Sequence, residues 1–333
     1  MKKTLFITAM LMAFCLLIFQ ACKKDRTTVF VNNKGNNNGN PVTNYPVNTL
    51  ATWSKKAPQK QSFTINAASG QWITGAKGSM FYFPANSLLD ASNNPVTGSV
   101  DIELKEYMNK ADMLFSGITV TSGNQLLESG GMFYLMARKN GQELHLKNNV
   151  GFTMIIPQSN QGEDPMNIWE GNPNQRDSLN KIDWVKKDSV PIKPVQDSAQ
   201  QQKKKYFQQF NYFKFGYCNI DREAFKFKNL IKKFRIKMPD GCNDTNSTAL
   251  LLFKTYNCCA WCHWLTIEDR MATYYQLPLG EVAKVLIYKK TGPGDDDLEY
   301  AVKEFTFTDE TEVEFTSMTK CTNLELENLI KAL

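Results

Sequence analysis

The sequence predicts a mainly β protein, two β-sandwich-like domains with a short C-terminal helix, and three features carry that expectation. Short runs alternate apolar with polar residues: Val100, Ile102 and Leu104 are interleaved with Asp101, Glu103 and Lys105, the period of two that half-buries a strand. Turn residues punctuate such runs, most sharply at Asn140-Gly141, since Asn-Gly between two apolar segments marks a tight hairpin. Helical spacing comes only at the end, where Leu326, Leu329, Ile330 and Leu333 share a face and Thr322 with Glu325 makes a capping box.

From the start, Lys2 and Lys3 precede an uncharged apolar run from Leu5 to Phe19, then Gln20-Ala21-Cys22, with charge returning at Lys23. That is the order of a secretory signal, and the run is shorter than the ~20 residues a membrane-spanning helix needs. Leu16 to Cys22 resembles a bacterial lipobox, which implies that residues 1–21 are a lipoprotein signal peptide and that Cys22 is lipidated. The expected address is the bacterial cell envelope, as an outer-membrane lipoprotein on the periplasmic or the exposed face, with the membrane as partner through the lipid. Residues 22–60 then read as a flexible spacer, because the stretch from Asn32 to Asn48 is mostly Asn, Gly, Pro and Val with almost no charge.

Residues 61–157 read as the first β domain. A turn from Asp90 to Gly98 precedes the alternating run at Val100, and Met132 to Arg138 and Glu143 to Lys147 flank the Asn-Gly turn. Phe152, Met154 and Ile156 continue the alternation to Pro157. No run here has helical periodicity. Residues 158–206 turn to Asn, Gln, Asp, Ser, Pro and Lys and read as a polar linker or insertion. Residues 207–333 read as a second β domain ending in the helix, with strands at Phe234 to Met238 and Leu250 to Tyr256, and a strand, turn, strand unit around Gly292-Pro293-Gly294.

Phe81-Tyr82-Phe83-Pro84-Ala85-Asn86-Ser87, Asn94-Pro95-Val96-Thr97-Gly98-Ser99-Val100 and Leu126-Leu127-Glu128-Ser129-Gly130-Gly131-Met132 together resemble ZU5-like β modules of cell-surface lipoproteins in Gram-negative bacteria. The likeness spans roughly residues 65 to 157. Ile168-Trp169-Glu170-Gly171, Ile182-Asp183-Trp184 and Phe215-Gly216-Tyr217-Cys218-Asn219-Ile220-Asp221-Arg222 extend it more weakly. It implies a noncatalytic β-sandwich and brings no catalytic residues. The residues themselves give scaffold roles: Phe81 and Phe83 before Pro84 fit a strand ending at a sheet edge, and Gly130-Gly131 a bulge or close backbone approach.

The sharpest chemical signal is Cys258-Cys259-Ala260-Trp261-Cys262-His263. Cys259-x-x-Cys262-His263 matches the c-type haem attachment pattern, two thiols for the vinyl groups and an axial His, and an exported chain reaches the right compartment. The same compartment favours disulfides, so Cys218, Cys242, Cys258, Cys259, Cys262 and Cys321 are candidate partners, with one of the three clustered thiols expected to pair with Cys218 or Cys242. A zinc site on Cys259, Cys262 and His263 lacks a second knuckle, and a redox pair lacks its usual fold context. The expectation is no cofactor, with haem c as the alternative.

The chain's +6 net charge, which drops by two when Lys2 and Lys3 are removed, is too small to suggest a nucleic-acid partner, and two histidines in 333 residues leave no multi-His catalytic or metal centre expected. The acidic run at Asp295 to Asp297 lacks EF-hand spacing and reads as a solvated turn. Trp53, Trp72, Trp169 and Trp184 offer rings that stack on sugars if exposed and fill cores if not. Ser178, Ser189 and Ser198 each follow Asp and precede an apolar residue, which resembles a bacterial O-glycosylation tripeptide. No nucleophile elbow or metalloprotease motif is found, so a noncatalytic envelope protein that presents β domains to a protein or glycan partner is expected, with an exported haem or thiol-redox protein as the alternative.

Overall fold

The computed structural model describes residues 55–158, 165–176, 182–187, 192, 194–196, 205–207, 210–226, 228–265, 270–273 and 275–332. The signal segment, Cys22, most of the spacer and Ser178, Ser189 and Ser198 lie outside the described residues. The fold is mainly β, two β-sandwich-like domains with a short C-terminal helix.

The first sandwich follows directly from the alternating runs. Val100, Ile102 and Leu104 of the strand Ser99–Tyr107 are fully buried while Asp101 stays exposed, and each such apolar side chain contributes about 1.5–3 kcal/mol. This strand lies in a large sheet ordered Gln61–Asn66, Ser99–Tyr107, Gln125–Lys139, Gly216–Glu223, Asn167–Arg176, Ile182–Lys186. A second, four-stranded sheet runs Phe210–Tyr212, Phe152–Ile155, Met80–Phe83, Gln71–Thr74. Phe133, Leu135, Cys218 and Ile220 from the large sheet meet Ile73, Phe81, Phe83 and Phe152 from the small one. Phe81 and Phe133 pack edge to face at 5.3 Å.

Two expectations change here. The Met80–Phe83 strand is paired on both sides, to Gln71–Thr74 and to Phe152–Ile155, so Pro84 closes an interior strand and not a sheet edge. The stretch 158–206, read as a linker or insertion, supplies strands to the large sheet, and so does Gly216–Glu223 from beyond it. Polar flanking segments hid those strands, whose few apolar residues Ile168, Trp169, Ile182 and Trp184 are the ones that enter the cores.

The Asn140-Gly141 hairpin forms as expected. Both residues have positive φ, 53° and 80°, as a type I′ turn requires, and Lys139 pairs with Gln142.

The second domain is an eight-stranded sheet ordered Glu310–Glu314, Lys233–Lys237, Arg270–Ala272, Cys259–Trp264, Ser247–Phe253, Val282–Lys290, Leu298–Thr306, Thr319–Cys321. The Lys233–Lys237 and Glu310–Glu314 strands are parallel. The helix α2, Asn323–Ala332, is capped as predicted: the Thr322 N–H donates to Glu325 Oε2 at 2.7 Å, and the Glu325 N–H donates to Thr322 Oγ1 at 3.2 Å. Leu326 and Ile330 are buried in the domain's core.

A second helix, α1 (Lys110–Phe115), was not predicted. Asn109 and Asp112 form a capping box, with the Asp112 N–H donating to Asn109 Oδ1 at 2.9 Å. Its Met113, Leu114 and Phe115 enter the same core cluster as Phe253, Leu286 and Phe307 of the second domain. The far face of the large sheet, through Tyr107, Met132, Trp169 and Trp184, joins that cluster too. The large sheet is therefore buried on both faces, which is why nearly every residue from Leu126 to Leu135 is inaccessible. Among the described residues no helix is long and apolar enough to cross a membrane.

Candidate functional site

Gly130-Gly131 and the Cys218-Asn219-Ile220-Asp221 run meet across the sheet, and their meeting point is a polar cluster inside the domain junction. Gly131 has φ 143°, and a Cβ there would come within 3.0 Å of Met108 Cε, so the backbone turns where no other residue fits. The register slips between Asn219 and Asp221 opposite it, the bulge expected of the glycine pair. That irregularity turns Ser129, Asn219 and Asp221 toward one another with no measurable exposure.

The Ser129 hydroxyl donates to Asn219 Oδ1 at 2.8 Å, and Asn219 Nδ2 donates to Asp221 Oδ2 at 2.5 Å. Asp221 Oδ1 has no hydrogen-bond partner among the described residues. Burial, with the neighbouring Glu128 adding to it, pushes the Asp221 carboxyl well above the usual carboxylate range. Beside it Arg222 holds the buried Glu128 carboxylate, Nε to Oε2 at 2.7 Å. Asn257 Nδ2 donates to the Ser129 carbonyl at 2.9 Å, tying a loop of the second domain to this point. The Trp169 indole donates to the Asp221 carbonyl at 3.0 Å, and Trp184 to the Thr119 carbonyl at 2.8 Å, so both rings are core residues. Trp72 is 46% exposed, and Trp53 lies outside the described residues.

A hydroxyl, an amide and an acid in line have the parts of a catalytic relay, but a nucleophile must reach a substrate and this one is sealed. The cluster works as a polar clamp between the domains. Sequence reading treated these residues as scaffold motifs and did not join them. The two runs, spaced some ninety residues apart, gave no sign of contact until the strands were paired.

Cys259-x-x-Cys262-His263 lies in the strand Cys259–Trp264, where Cys259 pairs opposite Leu252 and Cys262 opposite Ala249 with no slip between. Successive strand side chains alternate, so positions three apart face opposite sides of the sheet. The two thiols therefore do not converge on one haem edge, nor on each other. His263 is half-buried and burial lowers its pKa, which keeps the imidazole neutral. Among the described residues no three His, Cys, Asp or Glu side chains converge to hold a metal ion.

Among the described residues no disulfide joins the six candidate cysteines, Cys218, Cys242, Cys258, Cys259, Cys262 and Cys321. Their positions explain it: Cys218 belongs to the first sandwich's core, while the clustered thiols lie in the core across the sheet. Cys242 sits in a turn 3.8 Å from Met318 Sδ. Burial raises Cys218, Cys242, Cys258 and Cys262, and pushes Cys321 up to about 11, so these stay protonated and weakly nucleophilic at neutral pH. Lys110 reaches from α1 past Cys258 and Cys259, its ammonium donating to the Phe253 carbonyl at 2.6 Å.

The Asp295 to Asp297 turn is structural as well: Asp297 accepts from the Gly294 N–H at 2.7 Å, and Asp296 from the Asn323 N–H at 2.8 Å at the start of α2. A cleft between Leu126, Glu223, Phe225, Lys228 and Gln276 measures about 160 Å³, well below the ~300 Å³ at which organic-ligand sites begin. No family model matches the sequence, and no curated protein matches it.

Proposed function

We propose that the chain is a noncatalytic, lipid-anchored envelope protein that holds a rigid β body away from a membrane and presents its surface to a partner. The observation that carries this reading is where the chemically capable side chains lie. The thiols, His263 and the Ser129, Asn219 and Asp221 cluster are interior or half-buried, while the outer side of the four-stranded sheet is open. The lipobox-like Leu16 to Cys22, the spacer that follows it and the resemblance to ZU5-like surface modules all support the anchor and the presenting role. A haem or thiol-redox role is disfavoured by the opposed faces of Cys259 and Cys262.

Lipidation is tested in a Gram-negative host fed a labelled palmitate analogue. The native chain is expected to take up label and partition into detergent, and Cys22→Ala to lose both while its body still folds. A native chain without label, recovered in the aqueous phase, rules the anchor out.

A further inference from the structure

The four-stranded sheet turns one face to the first sandwich's core and the other to solvent. Register aligns Trp72 with Tyr82, Tyr82 with Thr153, and Thr153 with Asn211, one residue from each strand in a single row across the open face. At inter-strand spacing of about 4.8 Å the row is about 15 Å long. At one end the Trp72 and Tyr82 rings stand 5.3 Å apart and inclined at 41°, forming a shallow angled platform. Gly70 leaves room for the Tyr82 ring, whose hydroxyl would collide with a Cβ there. At the other end Phe213, 57% exposed, lies over Gly151, where a Cβ would come within 3.0 Å of the ring. Between the aromatic ends Thr153 Oγ1 donates to Asn211 Oδ1 at 2.8 Å, which orients the amide.

None of the residues these four strands turn outward is charged. The neighbouring sheet differs, with Glu103 flanked by Lys60 and Arg138. Trp72 and Phe213 are the two exposed large aromatic side chains among the described residues, and both border this face. Aromatic faces set about a row of neutral hydrogen-bonding groups fit the C–H faces and hydroxyls of a sugar chain. An acidic or basic partner finds no counter-charge here.

We propose that the outer face of the four-stranded sheet binds a neutral polysaccharide, with Trp72, Tyr82 and Phe213 stacking on sugar rings and Thr153 and Asn211 hydrogen-bonding their hydroxyls. The inference rests on the presenting role proposed above and names the partner's chemistry.

The mature full-length chain, in a polyoxyethylene detergent that carries no sugar, is run through native gels containing hydroxyethylcellulose, laminarin, mannan or dextran, with polygalacturonate as the anionic comparison. At least one neutral polymer is expected to retard it. Trp72→Ala weakens that binding about tenfold, as loss of an aromatic anchor does. Tyr82→Ala and Phe213→Ala weaken it too, whereas Leu324→Ala, at a 61% exposed site on α2, does not. Trp72, Phe213 and Leu324 are exposed and Tyr82 is half-buried, so circular dichroism of each variant confirms that it is folded before its retardation is read. The proposal is overturned if no neutral polymer retards the chain, if only polygalacturonate does, or if Trp72→Ala is retarded like the native protein. Cys22→Ala separates the two readings: retardation that persists without lipid keeps the sugar face whatever the anchor's fate, and a labelled chain that no polymer retards keeps the anchor alone.

Discussion

Burial leaves Asp221 with one oxygen held by Asn219 and the other without a hydrogen-bond partner among the described residues, beside a Glu128 carboxylate that Arg222 neutralises. An acid whose pKa is higher folded than unfolded takes up a proton on folding. Its cost is absent below the unfolded value near ~3.9 and grows as pH rises toward the folded one. Asp221→Asn cannot ionise, so urea titrations from about pH 4 to about pH 8 should show the variant gaining stability relative to the native chain as pH rises. A difference that stays flat with pH would mean that Asp221 is ionised in the fold. Asp221→Ala, which strands the Asn219 amide in the core, should cost about 1–3 kcal/mol throughout. At this scale the sequence was least legible. A buried Trp169 and an exposed Trp72 look alike in a string of residues, and only pairing decides which face each takes.

Elements were legible where one face is wet. The strand through Val100, Ile102 and Leu104, the Asn140-Gly141 turn and the Thr322-Glu325 cap each carry a local signature that tertiary contacts did not override. Helix α1 left no periodic trace because six residues give fewer than two turns; the capping pair Asn109 and Asp112 was the signal that could have found it. The Cys259 to His263 motif failed in the opposite way, since its spacing is right for haem but its strand conformation turns the thiols apart. Helix α1 ties the two domains: Lys77 of the first sandwich pairs with Asp112 at 2.5 Å, and Phe115 is 2% exposed in the shared core. Asn109→Ala should lower stability by about 1 kcal/mol through the lost cap, and Phe115→Ala by about 3–5 kcal/mol through the cavity, both measured by denaturant unfolding. A Phe115→Ala loss below that of the cap variant would show that the helix does not bind the domains together.

The strand Gly216–Glu223 decides how the whole molecule holds together. It follows the polar stretch 158–206 in the chain, yet lies between Gln125–Lys139 and Asn167–Arg176 in the large sheet, hydrogen-bonded to both. The chain then passes straight into the second domain, whose apolar core is continuous with Tyr107, Met132 and Trp184 on the far face of that sheet. A cut between 158 and 206 therefore leaves strands from both fragments interleaved in one sheet, with a shared core beside it. Limited proteolysis within that stretch should give two polypeptides that co-elute on size exclusion and part only in denaturant. The uncut body should unfold in one transition by both circular dichroism and tryptophan fluorescence, because neither domain can lose its core without opening the other's sheet. Fragments that separate in native buffer, or two transitions in the intact chain, would show that the domains fold independently.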